Sequence, residues 1–183
     1  MIIFIIAAVL VLVLVLLGIG VYNKLIRLRN AVEEGFGQID VQLQRRNDLI
    51  PNLVETVKGY ASHERQALEA VISARAKGMG AGTVGEKAAA DNAITGALRQ
   101  LLAVAEAYPD LKANTNFLSL QEELASTENK IGFARQRYND QVRALNVAVE
   151  TIPTNLIANL FKINRAEYFE ADESARSVPQ VKF

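Results

Sequence analysis

Apolar positions form one unbroken run at the start of the chain and recur periodically after it. The run, residues 2–22, reads IIFIIAAVLVLVLVLLGIGVY and contains no charged residue. As a helix it is about 30 Å long, which matches the hydrocarbon core of a bilayer. A cleaved signal peptide, the competing interpretation, typically has basic residues before a shorter apolar run. We therefore expect residues 1–23 to be an uncleaved transmembrane anchor that contacts lipid through residues 2–22.

The segment after the anchor has apolar residues at intervals of three, four or multiples of seven, which is typical of one face of a long helix. Arg46 falls in a gap of this stripe, and no turn signal separates the stripe from the anchor. The stripe continues on both sides of Pro51, which favours a bent helix over a chain reversal there. The pattern thus predicts one continuous first helix. Its apolar positions are Val32, Phe36, Ile39, Leu43, Ile50, Leu53, Val57, Leu68 and Val71.

Three further helices are predicted. An alanine-rich helix covers about residues 86–107 and ends at Tyr108 and Pro109, because proline cannot continue the hydrogen-bond ladder. A long helix follows, with Ser119 as its predicted capping residue, and a short one covers 154–168. The long helix carries, seven residues apart, Phe117, Leu124, Ile131, Tyr138, Leu145 and Ile152.

These patterns predict an all-α protein, since no segment shows sustained strand alternation. The transmembrane helix would precede an elongated antiparallel bundle of three long helices and a short C-terminal helix, over residues 24–169. Residues 170–183 are predicted to be an extended or disordered tail. Its alternating apolar residues Val181 and Phe183 could add to a partner's sheet edge or fill a groove. A loosely ordered terminus is the alternative.

Composition changes this picture by what it excludes. The chain has 20 basic and 20 acidic residues, one histidine and no cysteine. We expect no nucleic-acid partner, because a basic footprint is missing, and neither disulfides nor thiolate metal sites. Residues 80–85 match GxGxxG, but a helix instead of a strand precedes them, so a helix-to-helix loop is predicted. We predict no catalytic residue, cofactor, metal or small-molecule substrate.

Charged residues in the helical stripes are the remaining candidates for structure or interaction. Arg45, Arg46 and Asp48 could bind an anionic ligand or lipid head group, but they lie about 35 Å past the membrane along a straight helix. Pairing of Arg46 with an acid of the bundle, such as Glu128, is the favoured interpretation. Polar residues in a seam, among them Glu128 and Arg135, fix helix alignment at a cost in stability.

Orientation follows from three basic residues just after the apolar run. Lys24, Arg27 and Arg29 lie on that side, and no basic residue precedes the run. Basic flanks resist translocation, so we expect the N-terminus outside and the bundle in the cytoplasm. Three charges are fewer than a usual lipid-binding cluster, which favours a role in topology alone.

The chain also resembles the LemA family over essentially its whole length. The resemblance rests on YNKLIRLRN at 22–30, RRNDLIPNL at 45–53, YPDLKANTNF at 108–117, LQEELASTENKI at 120–131, ARQRYNDQV at 134–142, YFEA at 168–171 and VPQVKF at 178–183. It implies a single-pass protein of the bacterial cytoplasmic (inner) membrane with a cytoplasmic helical bundle, and it brings no defined activity. A similar protein of magnetotactic bacteria is associated with building magnetosome membranes.

Together these features predict a non-enzymatic, membrane-anchored helical scaffold. It would form homo-oligomers or bind other membrane-associated proteins. A protein that remodels membranes or organises lipids is the alternative. An enzyme or small-ligand sensor, with a pocket near Pro51, is the remaining class.

Overall fold

The structure, a computed structural model, describes residues 1–169 and is helical with no strand in that part of the chain. The all-α class is therefore confirmed. By their contacts the described residues form two compact units, the first made of Met1–Gly37 and Gln136–Glu167, the second of Gln38–Arg135 together with Tyr168 and Phe169. The tail candidates Val181 and Phe183 lie outside the described residues. The helices are α1 Ile2–Tyr60, α2 Arg65–Gly80, α3 Val84–Ala105, α4 Pro109–Lys112, α5 Thr115–Glu150 and α6 Thr154–Leu160.

The first unit contains the apolar start of α1, which is long and apolar enough to cross a membrane. Beyond it, α1 packs against the end of α5, where the rings of Phe36 and Tyr138 have centroids 6.0 Å apart, and Leu25, Val142 and Leu145 are buried in this unit. The segment after α6 returns along α5. Asn146 holds it there, because its side chain both donates to the carbonyl of Ala166 at 3.0 Å and accepts from the N–H of Ala166 at 2.8 Å.

The second unit is a four-helix arrangement of the end of α1, α2, α3 and the start of α5. Arg46 lies against Glu128 and Tyr60 against Asn114, so α1 and α5 run antiparallel. The turns between α1, α2 and α3 are short, which reverses each helix relative to the one before it. The core of this unit includes Ile50, Leu53, Val57, Leu68, Val71, Ile94, Leu98, Leu101, Leu111, Phe117 and Leu124.

The continuity of α1 is confirmed: it runs from the apolar segment through Pro51 without interruption. The chain reverses later than Pro51, at residues 61–64, where the sequence predicts continued helix. Leu68 and Val71 therefore belong to α2 and not to the first helix. Because α2 folds back and buries both residues in the same core, the regular spacing of apolar residues continues past the turn. The spacing alone therefore does not reveal that the chain reverses there.

Two other predicted boundaries are wrong. The long helix α5 begins at Thr115, because the side chain of Asn114 accepts a hydrogen bond from the N–H of Phe117 at 3.0 Å and caps it. Ser119 therefore lies inside α5. The last helix, α6, ends at Leu160 instead of near 168, because Lys162 takes a left-handed conformation with φ of 54°. Such a residue is a common C-terminal stop for a helix.

Candidate functional site

The most unusual side chain of the second unit is Arg46, which is fully buried although it carries a charge. Because Arg46 lies on the same side of α1 as the apolar stripe, its side chain points into the helix bundle. The guanidinium Nη1 lies 2.7 Å from Asp91 Oδ1 and 2.9 Å from Glu128 Oε1. It also donates to the hydroxyl of Thr95 at 3.2 Å. One arginine of α1 thus connects α3 and α5.

A second arginine completes this group. Arg135 of α5 donates to Asp91 Oδ2 at 3.0 Å, and its guanidinium carbon lies 5.2 Å from the ring centroid of Phe169. The side chain of Asp91 is 1% exposed, whereas that of Glu128 is 34% exposed. We call Arg46, Asp91, Thr95, Glu128 and Arg135 the Arg46 cluster. Its two cations and two carboxylates neutralise one another, which is the condition for keeping charges buried.

A cavity of about 230 Å³ adjoins this cluster between α1, α2 and α3. Two of its lining residues have partners: the carbonyl of Asn47 accepts a hydrogen bond from Arg75 at 2.8 Å, and Lys87 pairs with Asp40. The buried atoms Arg46 Nε and Asn47 Oδ1 have no hydrogen-bond partner among the described residues. A polar cavity of this size accommodates ordered water, which would satisfy both atoms.

A more apolar groove of about 540 Å³ lies between α3 and α5, with Leu98, Leu102 and Leu124 among its lining residues. Glu128 reaches its edge, so the Arg46 cluster has one member in contact with this surface. Within residues 1–169, no group of three His, Asp or Glu side chains is arranged to hold a metal ion. The chemistry that the Arg46 cluster offers is pairing of charges across helices.

The predicted pairing of Arg46 with Glu128 is therefore present, but the neighbours of Arg46 in the sequence do not share its position. Arg45 is exposed, and so is Asp48, which accepts a hydrogen bond from the side chain of Gln44 at 2.8 Å. Pro51 is exposed on α1 as well. Of the RRND sequence at 45–48, Arg46 forms ion pairs inside the bundle, and the carbonyl of Asn47 accepts the hydrogen bond from Arg75.

The other predicted residues are not members of the Arg46 cluster. The phenol of Tyr108 donates to Glu64 at 3.1 Å, and this hydrogen bond raises the pKa of Tyr108. Pro109 is the first residue of α4. Tyr138 belongs to the first unit, where burial raises the pKa of its hydroxyl.

The three topology-setting residues are exposed on α1. Lys24 and Arg27 point away from the core of the first unit, and Arg29 pairs with Glu33 at 3.1 Å. Their exposure is compatible with contact to water or to lipid head groups.

Two members of the Arg46 cluster, Thr95 and the carboxylate Asp91, were not predicted from the sequence. The signal was present, because Asp91, Leu98 and Ala105 are seven residues apart and all three are buried. A carboxylate in the apolar stripe of an alanine-rich helix indicates a buried partner of opposite charge. Sequence spacing does not say which arginine supplies that charge.

Comparison with known proteins gives one family match. The model of the LemA family matches residues 35–183. Among individual relatives, Magnetosome protein MamQ 2 of Paramagnetospirillum magneticum is 24% identical over 175 residues, which cover 81% of this chain and 64% of the relative. Protein LemA of Metamycoplasma hominis is 25% identical over 162 residues, covering 86% of this chain and 73% of the relative.

A third relative, Magnetosome protein MamQ of Magnetospirillum gryphiswaldense, is 22% identical over 189 residues, with coverage of 87% of this chain and 70% of the relative. The matched part of the chain therefore spans 64% of the length of MamQ 2, which is less than two thirds. It spans 73% of Protein LemA and 70% of the third relative.

Proposed function

Because the chain belongs to the LemA family, we propose that it is a non-enzymatic, single-pass membrane protein whose helical part is a scaffold for its own copies or for other membrane-associated proteins. One observation carries the proposal. The charge-free stretch 2–22 and the first helix of the bundle are a single helix, α1, of 59 residues. A helix that continues from lipid into a bundle couples the bundle directly to the bilayer.

The Arg46 cluster supports a structural role. Its cations and carboxylates are directed at each other across α1, α3 and α5. Charges so arranged set the alignment of helices, because a shift of one helix would leave a buried charge without its partner. A scaffold needs this alignment to present a constant surface.

Lys24, Arg27 and Arg29 support an orientation with the N-terminus outside and the bundle in the cytoplasm of a bacterium. Fusions of alkaline phosphatase or green fluorescent protein to the C-terminus test it in cells. We expect fluorescence and no phosphatase activity. Phosphatase activity from the C-terminal fusion would contradict the proposed orientation.

Self-association is tested by cysteine crosslinking in native membranes, which is simple because the chain has no cysteine of its own. Phe133 on α5 is 73% exposed, and an apolar side chain of this size at the surface is a candidate contact. We expect Phe133→Cys to give crosslinked species. Glu123→Cys, an exposed polar position on the same helix, is the matched control. Equal crosslinking at both positions, or none at either together with no co-purifying protein, would contradict the scaffold proposal.

The names of the relatives favour membrane organisation as a second candidate function, since MamQ proteins are named as magnetosome proteins. This function predicts that the full chain changes vesicle shape when it is reconstituted. Electron cryomicroscopy of liposomes at increasing protein-to-lipid ratio measures the effect. Vesicles indistinguishable from protein-free ones would count against it.

A further inference from the structure

We propose that α6 and its flanking residues form a second membrane contact, a short apolar segment that lies at the lipid–water boundary beside the apolar part of α1. The proposal rests on the membrane anchoring proposed above, and it adds a lipid-binding surface from the opposite end of the chain. The occupant of that surface is the bilayer itself.

The sequence of this segment is suited to the boundary region. Residues 151–161, TIPTNLIANLF, contain no charged residue, and Glu150 and Lys162 bound them on either side. The seven residues of α6 are too few to span a bilayer as a helix. They are enough to lie along the boundary between head groups and acyl chains.

The exposed side of α6 is apolar. Leu156 and Leu160 are four residues apart on α6 and are 66% and 72% exposed, and Ile152, two residues before the helix, is 82% exposed. Residues at this spacing share one side of a helix. A contiguous group of large apolar side chains that the protein does not cover marks an interaction site.

The other side of α6 contacts the charge-free stretch of α1. A Cβ atom built on Gly18 would lie 3.9 Å from the Cδ1 atom of Ile157, and the rings of Tyr22 and Phe161 have centroids 4.5 Å apart. These contacts lie about 3 to 9 Å before Lys24 along the helix axis. Interfacial helices are typically buried about 5–10 Å into the boundary between head groups and acyl chains. The apolar surface of α6 is thus continuous with that of the anchor.

Basic residues follow both apolar segments. Lys24, Arg27 and Arg29 follow the anchor, and Lys162 and Arg165 follow α6; all five are exposed. Two of the five are partly compensated, because Arg29 pairs with Glu33 at 3.1 Å and Arg165 pairs with Glu150 at 3.0 Å. Clusters of about four to eight basic residues beside a membrane segment are typical of contact with anionic lipids. The three residues on α1 fall short of that number, and the segment after α6 supplies two more.

Tryptophan fluorescence tests the proposal, because the chain has no tryptophan. Three full-length variants, Leu12→Trp, Leu156→Trp and Val41→Trp, are reconstituted into phosphatidylcholine–phosphatidylglycerol vesicles with and without brominated acyl chains. Leu12 reports on the anchor and Leu156 on α6. Val41 is an exposed control, about 28 Å beyond Tyr22 along α1.

We expect brominated lipid to quench Leu12→Trp and Leu156→Trp by at least half, and to leave Val41→Trp unchanged. If Leu12→Trp is quenched but Leu156→Trp behaves like Val41→Trp, the proposal about α6 is overturned and the anchor stands. If Leu12→Trp is not quenched, the proposed anchoring fails, and this proposal fails with it. Leu160→Trp, on the same side of α6, gives an independent reading by the same criteria if Leu156→Trp does not fold.

Discussion

Replacement of Arg46 tests the role of the buried cluster most directly. Arg46→Met keeps most of the side-chain volume and removes the charge. The substitution leaves Asp91, whose side chain is 1% exposed, with Arg135 as its remaining charged partner among the described residues. Breaking a buried ion pair in this way typically costs about 3–5 kcal/mol, because the remaining charge stays out of water. We expect a loss of that size in the free energy of unfolding.

The same reasoning ranks the two carboxylates that Arg46 contacts. Asp91→Asn leaves Arg46, whose side chain is 1% exposed, with only the partly exposed Glu128 as a charged partner among the described residues, so the cost is again about 3–5 kcal/mol. Glu128→Gln costs about 1 kcal/mol or less, because Glu128 is 34% exposed and water already screens its charge. Asp91, and not Glu128, is therefore the partner on which Arg46 depends.

The double variant Arg46→Met/Asp91→Leu separates loss of pairing from loss of packing. It removes both fully buried charges and leaves Arg135 and Glu128, which are 23% and 34% exposed. Replacement of a buried ion pair by apolar residues of similar volume is often neutral or stabilising. We expect the double variant to be at least about 2 kcal/mol more stable than the sum of the two single losses implies.

Guanidinium unfolding of the full chain in mild detergent, followed by far-UV circular dichroism, measures all four variants. The wild-type protein at the same detergent concentration is the control. A loss below about 1 kcal/mol in Arg46→Met, or simple additivity in the double variant, would refute this explanation of the cluster.

Three further predictions concern positions outside the Arg46 cluster. Gly132→Ala should stabilise the protein by about 0.5–1 kcal/mol in the same assay, because a Cβ at this helical position meets nothing within 4 Å and alanine is the better helix former; a loss of stability would contradict this. Tyr138→Phe should cost about 1 kcal/mol, because it removes the 2.7 Å hydrogen bond to the carbonyl of Glu167; an unchanged midpoint would show that this bond contributes nothing. Hydrogen bonds from the backbone N–H groups of Thr83 and Gly82 hold the pKa of Glu86 below its usual value. The stability that this carboxylate contributes is therefore present above its usual pKa and lost as the pH falls through the folded value. Glu86→Gln should weaken that acid dependence, and identical pH profiles would contradict it.

The cap that holds α3 shows how far local sequence can be interpreted. Thr83 accepts from the N–H of Glu86 while Glu86 accepts from the N–H of Thr83, which forms a capping box. The spacing of these two residues is visible in the sequence, yet the predicted cap was Ser119, which also has a glutamate, Glu122, three residues later. Both sites have the residues that a capping box needs. Ser119 does not cap a helix, because Asn114 caps α5 five residues earlier and Ser119 lies inside that helix. Which cap forms depends on where the chain has turned.

Local information was sufficient for the apolar run of α1, the continuity of that helix through Pro51 and the helix-to-helix turn at residues 81–83, because hydropathy, period and glycine content act within one segment. Tertiary structure decided the turn at 61–64, the pairing of Arg46 with Asp91 and the contact of α6 with Gly18 and Tyr22. The physical reason is common to all three. A seven-residue period records which side chains are buried, but it does not record which helix buries them, and that choice is made when distant segments pack together.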